Sequence, residues 1–137
     1  MVMRICGIHV LAVLVAAVAV YAVGALIYGV LVGPEVWMEG AAITQQQMDL
    51  VGMSRMPYSP IMPLMTAFGL ALLFNWAGVS GLGNGVKWAL LVAFASAVPT
   101  LLYGWVYGVA PFYGTMIDIA HLMIGHGVAG AILASWK

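Results

Sequence analysis

Asp118 and His121 stand three residues apart in an apolar stretch that runs from Tyr113 to Trp136. On a helix, that spacing puts a carboxylate and an imidazole on one face, about one turn apart. A carboxylate in hydrocarbon costs several kcal/mol unless something pairs with it. An intramembrane Asp beside a His is therefore a candidate site for a proton, an ion or a ligand. The competing role is structural, with Asp118 accepting from His121, Tyr103 or Thr100 and fixing helix register. Burial and mutual attraction act in opposite senses on such a pair. The local dielectric decides between a proton relay and a static bridge, and no residue type encodes it.

The other histidines extend the chemistry only singly. His121 and His126 are five residues apart, roughly 140° around a helix, so one regular helix cannot offer both to one ion. His9 lies about 12 Å in depth from His126 at the helical rise of ~1.5 Å per residue. No metal site is expected. Each His could serve instead as a lone axial ligand to haem or a chlorophyll-type pigment. His126 suits that better, because Gly125 and Gly127 would leave flat space for a macrocycle. The same glycines, with Gly130, Ala131 and Ala134, also read as a small-residue face for close helix packing, and that reading is preferred.

Little else points to catalysis. No acid, base and nucleophile set accompanies Asp118 and His121, so no enzymatic activity is expected. Gly81, Gly83 and Gly85 follow a membrane helix rather than a strand, which removes a dinucleotide-binding reading. Glu35 and Glu39 fit a solvated face. With four Lys or Arg and zero formal charge, the chain lacks the basic footprint that nucleic acid requires. The single Cys6 excludes an internal disulfide and a Cys-based metal cage, and reads as an inert thiol.

The elements that must position these residues are membrane helices. Of the residues, 65% are hydrophobic and 6% charged, against about 25% charged in a soluble domain. The mean hydropathy is +1.11. Lipid must solvate most of the surface. Four blocks reach the ~20 apolar residues that cross hydrocarbon, at about 8–32, 61–79, 86–109 and 113–136. The first is too long for a signal-peptide core and reads as a retained helix. This predicts a single all-α domain, an up-and-down bundle of four transmembrane helices. Gly81 to Gly85 forms the turn between the second and third spans, and Pro111 leaves almost no loop before the fourth.

Only the first link is long. Within it Thr44 and Gln47 match a capping box, which predicts a short amphipathic helix in that outer loop. Arg4, Lys87 and Lys137 share one side, against Arg55 with Glu35, Glu39 and Asp49 on the other. That balance favours both termini in the cytoplasm. Placed by depth, Tyr21, Thr66, Thr100 and Tyr103 fall near Asp118 and His121, and the six are expected to form one hydrogen-bonded cluster.

Several landmarks carry a resemblance. Gly24-Ala-Leu-Ile-Tyr28, then Gly33-Pro34 and Val36-Trp37-Met38, precede Val98-Pro99-Thr100-Leu101 in the third span. His121 is followed by Gly130-Ala-Ile-Leu133 before Trp136. With these the chain resembles a bacterial family of small four-helix membrane proteins, domain of unknown function seventeen sixty-one. It departs from the common pattern at Ile27, where a Trp is frequent, and it adds His126. The resemblance implies four spans, a re-entrant or surface first loop and residence in a bacterial inner membrane. It implies no reaction.

The leading expectation is an interaction role: an accessory subunit that packs in a larger membrane assembly or self-associates, in contact with lipid. The alternatives are a cofactor protein using His126 or His121, and a small carrier or proton-linked channel using Asp118 and His121.

Overall fold

The structure is a computed structural model that describes Arg4, Ile5 and residues 7–136. Cys6 and Lys137 lie outside the described residues. Four long apolar helices, Val10–Val32, Gln45–Trp76, Leu82–Tyr107 and Phe112–Ser135, can each cross a membrane and pack against one another. Only helices and closed barrels satisfy every backbone group in lipid. A chain this apolar, with helical runs of this length, resolves into the former.

The ends of the spans differ from the sequence expectation for identifiable reasons. The first span starts at Val10 rather than at residue 8, because Arg4–Ile5 and Ile8–His9 pair as a two-residue antiparallel hairpin. Gly7 turns it at φ +79°, a conformation that favours glycine. The Thr44 capping box forms, its hydroxyl accepting from the Gln47 backbone N–H at 3.2 Å. The helix it starts does not stand apart in the loop. It continues through a π-helical stretch, Met48–Gly52, and a 3-10 turn, Met56–Tyr58, into Ile61–Trp76. The separate short helix of that loop is Pro34–Gly40, with proline in its first turn, where the missing N–H costs nothing.

The third span begins at Leu82, so Gly83 and Gly85 belong to its first turns and not to the preceding turn. Gly85 has a packing reason to be there. A methyl group on it would overlap the Gly130 carbonyl oxygen and the Ala134 side chain. A methyl on Gly130 would overlap the Gly85 carbonyl oxygen and the Ala89 side chain. Two small-x-x-x-small pairs, Gly85 with Ala89 and Gly130 with Ala134, thus bring the third and fourth helices backbone to backbone. In lipid, where burying apolar side chains gains little, such close packing supplies the attraction.

The fourth span is the hub. It packs most extensively on the third and first, and less on the second; the second packs mainly on the first. The second and third spans are joined by a short turn, yet each leans on other helices more than on its sequence neighbour. The core is correspondingly rich in small residues, with Ala12, Ala16, Ala67, Ala89, Ala129 and Ala134 all buried around Phe74.

Pro99 lies inside the third span, where it removes a helical donor. The helix widens into a π-helical turn at Ala93–Ala97 just before it, and two hydroxyls bond back onto their own helix nearby. Ser96 Oγ donates to the Val92 carbonyl at 2.6 Å, and Thr100 Oγ1 to the Ser96 carbonyl at 2.8 Å. Such adjustments let proline sit within a membrane helix.

Candidate functional site

Asp118 and His121 share a face of the fourth span, and that face meets the first span in antiparallel register. Val20 lies beside Gly125, Gly24 beside His121 and Tyr28 beside Asp118, one helical turn per step. Gly24 is where the imidazole needs room: a methyl there would stand 3.0 Å from His121 Nε2. Tyr28, four residues on, falls on the same face and reaches both polar groups.

Tyr28 donates its phenolic proton to Asp118 Oδ1 at 2.6 Å. Its oxygen is 3.2 Å from His121 Nδ1. With the tyrosine proton given to the carboxylate, the remaining role for that oxygen is to accept, so Nδ1 of His121 carries a hydrogen and donates it. The chain of donors therefore runs from His121 through Tyr28 to Asp118. The rings of Tyr28 and His121 meet edge to face, centroids 5.0 Å apart at 72°. A bond of 2.6 Å to a carboxylate is in the range of charge-assisted hydrogen bonds. All three residues are half-buried.

Two further devices hold Tyr28. It lies in a π-helical stretch, Ile27–Val32, at the end of the first span, and such wide turns recur at functional positions. Trp37 of the helix Pro34–Gly40 meets its ring edge to face at a centroid distance of 6.3 Å. That short helix is itself pinned to the start of the fourth span, where a methyl on Gly114 would overlap the Gly40 carbonyl oxygen.

The expected six-residue cluster is corrected on four of its members. Tyr21 pairs with Ser59 at 3.1 Å, on the second span's side. Thr66 is half-buried on the second span and Thr100 is bonded to its own helix. Tyr103 is exposed and stacked on Tyr107, centroids 6.3 Å apart. Asp118 and His121 do come together, but through Tyr28.

Depth could have found it: Tyr28 stands ~6 Å from the end of the first span and Asp118 ~9 Å from the start of the fourth, whereas Tyr21 is ~16 Å in. Depth alone could not place Thr100. Eleven residues separate it from Ala89, which on a regular helix returns to within ~20° of the same face. The π turn between them adds about one residue and rotates Thr100 away from the packed side.

His126 is buried in the fourth span, and its Nδ1 donates to the Leu122 carbonyl at 2.7 Å. The flat space expected beside it is taken. A methyl on Gly125 would stand 3.3 Å from Val20 and one on Gly127 3.6 Å from Leu90, both side chains of neighbouring spans. Gly130 and Ala134 are buried against the third span, and Ala131 is half-buried. The small-residue face is therefore occupied by this chain's own helices. Among the described residues, no group of three or more His, Cys, Asp or Glu could hold a metal ion.

The arrangement can do two things chemically. As a closed set of mutually satisfied groups, it clasps the first and fourth spans at one register. As a directed chain of donors and acceptors, it has the connectivity that a proton relay between His121 and Asp118 would use, with a second proton supplied to His121 at Nε2.

No curated protein and no solved structure matches the chain. A family model described as "Protein of unknown function (DUF1761)" matches residues 11–134. That match covers every element of the candidate site and nearly the whole bundle, and the chain belongs to this family.

Proposed function

We propose that the protein is a non-enzymatic interaction subunit, which associates through its third span with a second copy of the chain or with another membrane protein. The observation that carries this reading is a stripe on that span. Ser96, Thr100, Tyr103 and Tyr107 recur at spacings of four, three and four, and all four are exposed. Only 11% of the span's apolar window is buried, against 33% of the first. Hydroxyl-bearing side chains on an outward membrane face are of the kind that bond between helices. Ser96 and Thr100 have committed their protons to backbone carbonyls and keep acceptor capacity, while the tyrosines can donate. The stripe is thus complementary to itself, which favours a second copy.

The charge balance supports both termini on the cytoplasmic side of a bacterial inner membrane. The test is cross-linking in mild detergent and in native membranes. A cysteine at Tyr103, in a Cys6→Ser background, should give a cross-linked dimer with a short bismaleimide. A cysteine at Val18, equally outward on the first span, should not. A clean monomer that retains no partner from its native membrane would sink the proposal.

A second reading, a proton-linked carrier, draws on the directed chain from His121 to Asp118. In reconstituted vesicles, a proton flux abolished by Asp118→Asn would raise it above the first; flux absent from the wild type would leave the cluster a clasp. A haem or pigment on His126 or His121 draws less support, because Val20 and Leu90 fill the space beside the glycines. An absorption band in protein from its own host, lost on His126→Ala, would reverse that ranking.

A further inference from the structure

We propose that the end of the bundle bearing the chain termini holds an anionic glycerophospholipid, its headgroup at Arg4 and an acyl chain between the first and second spans. This is independent of the third-span interface. A hollow of about 290 Å³ opens there, with Arg4, His9 and Asn75 as its polar wall and Phe74, Leu133 and Trp136 among its apolar ones. Arg4 is placed rather than loose. Its Nη2 is 3.0 Å from His9 Nε2, and because a guanidinium only donates, His9 accepts.

Among the described residues, no acidic side chain at this end balances its basic ones. Glu35, Glu39, Asp49 and Asp118 all belong to elements at or near the opposite end, whereas Arg4 and Lys87 are here. A basic pocket between membrane helices at the headgroup level suits an anionic lipid.

The second observation gives the ligand its tail. A separate groove of about 330 Å³ runs between the first and second spans, walled by side chains such as Val13, Leu14, Met65 and Phe68, with almost no polar surface. Ile8 lines both spaces, so the polar hollow at the membrane edge and the apolar groove facing hydrocarbon are neighbours on the same side of the bundle. A free anion would need only the first of these. An amphiphile needs both, in this order.

The experiment is native mass spectrometry of the full chain in detergent, titrated with phosphatidylglycerol or phosphatidylcholine of identical acyl chains. Phosphatidylglycerol should bind about fivefold more tightly, the effect of one cation near an anionic headgroup. Arg4→Gln, at an exposed position, should reduce that ratio to near one and leave phosphatidylcholine binding unchanged. Leu14→Trp, which fills the groove from a half-exposed site, should weaken both lipids while the preference persists. Equal binding of the two lipids by the wild type overturns the proposal, as does a preference that survives Arg4→Gln. Leu14→Trp without effect would overturn the acyl groove. Displacement of phosphatidylglycerol by inorganic phosphate, but not by chloride of equal ionic strength, would make the hollow a free-anion site instead.

Discussion

Gly24 and His121 face each other across the first and fourth spans so closely that a methyl on Gly24 would lie 3.0 Å from His121 Nε2. The glycine is a notch, and the imidazole fills it. Gly24→Ala should be accommodated by a small shift of the ring, whereas Gly24→Leu must displace it and break its bond to Tyr28. Overpacking of this kind costs about 1–3 kcal/mol. Thermal unfolding in detergent should show a small loss for alanine and a large one for leucine; equal effects would mean the ring is not lodged there.

Tyr28→Phe removes the donor to Asp118 and the acceptor for His121 together. A half-buried carboxylate losing its partner should cost about 1–3 kcal/mol. Asp118→Asn in the Tyr28→Phe background should recover part of that, because the stranded charge is gone. Additive losses in this double-mutant cycle would show that the two side chains do not act as a pair.

Gly130 and Gly127 are three residues apart on the fourth span and should differ sharply. An alanine at Gly130 collides with the Gly85 carbonyl oxygen and Ala89, so the third and fourth helices must separate. An alanine at Gly127 meets Leu90 at 3.6 Å, an ordinary contact. Gly130→Ala should therefore destabilise the bundle strongly and Gly127→Ala by less than about 0.5 kcal/mol, as for other substitutions away from special features. Comparable melting temperatures for the two variants would count against the close approach.

Thr44→Ala deletes the side-chain acceptor of the capping box. The cost should be about 0.5–2 kcal/mol, confined to the helix start. Hydrogen exchange should quicken at Gln45–Gln47 and remain unchanged in Ile61–Trp76 if the non-α turns between them insulate the second span. Faster exchange through both would show that the cap stabilises the long helix as a unit.

The residues by themselves determined the solvent, the number of crossings and where the rare polar groups sit in depth. With 6% charged residues the chain must lie in lipid, and lipid permits few backbone solutions. The Thr44 capping box and the Asp118 to His121 spacing are local, and depend on residues within one turn. Tertiary structure decided what lies across from what. Tyr28 became the partner of Asp118 because Gly24, one turn away, lets the fourth helix approach, and that register joins residues ninety positions apart. Thr100 and Tyr103 lie outward because a π turn before Pro99 rotates the rest of the third span. The small-residue face of the fourth span is spent on the third and first helices for the same kind of reason. Depth follows from counting residues along one helix, whereas facing depends on every turn being regular and on which neighbour packs closest.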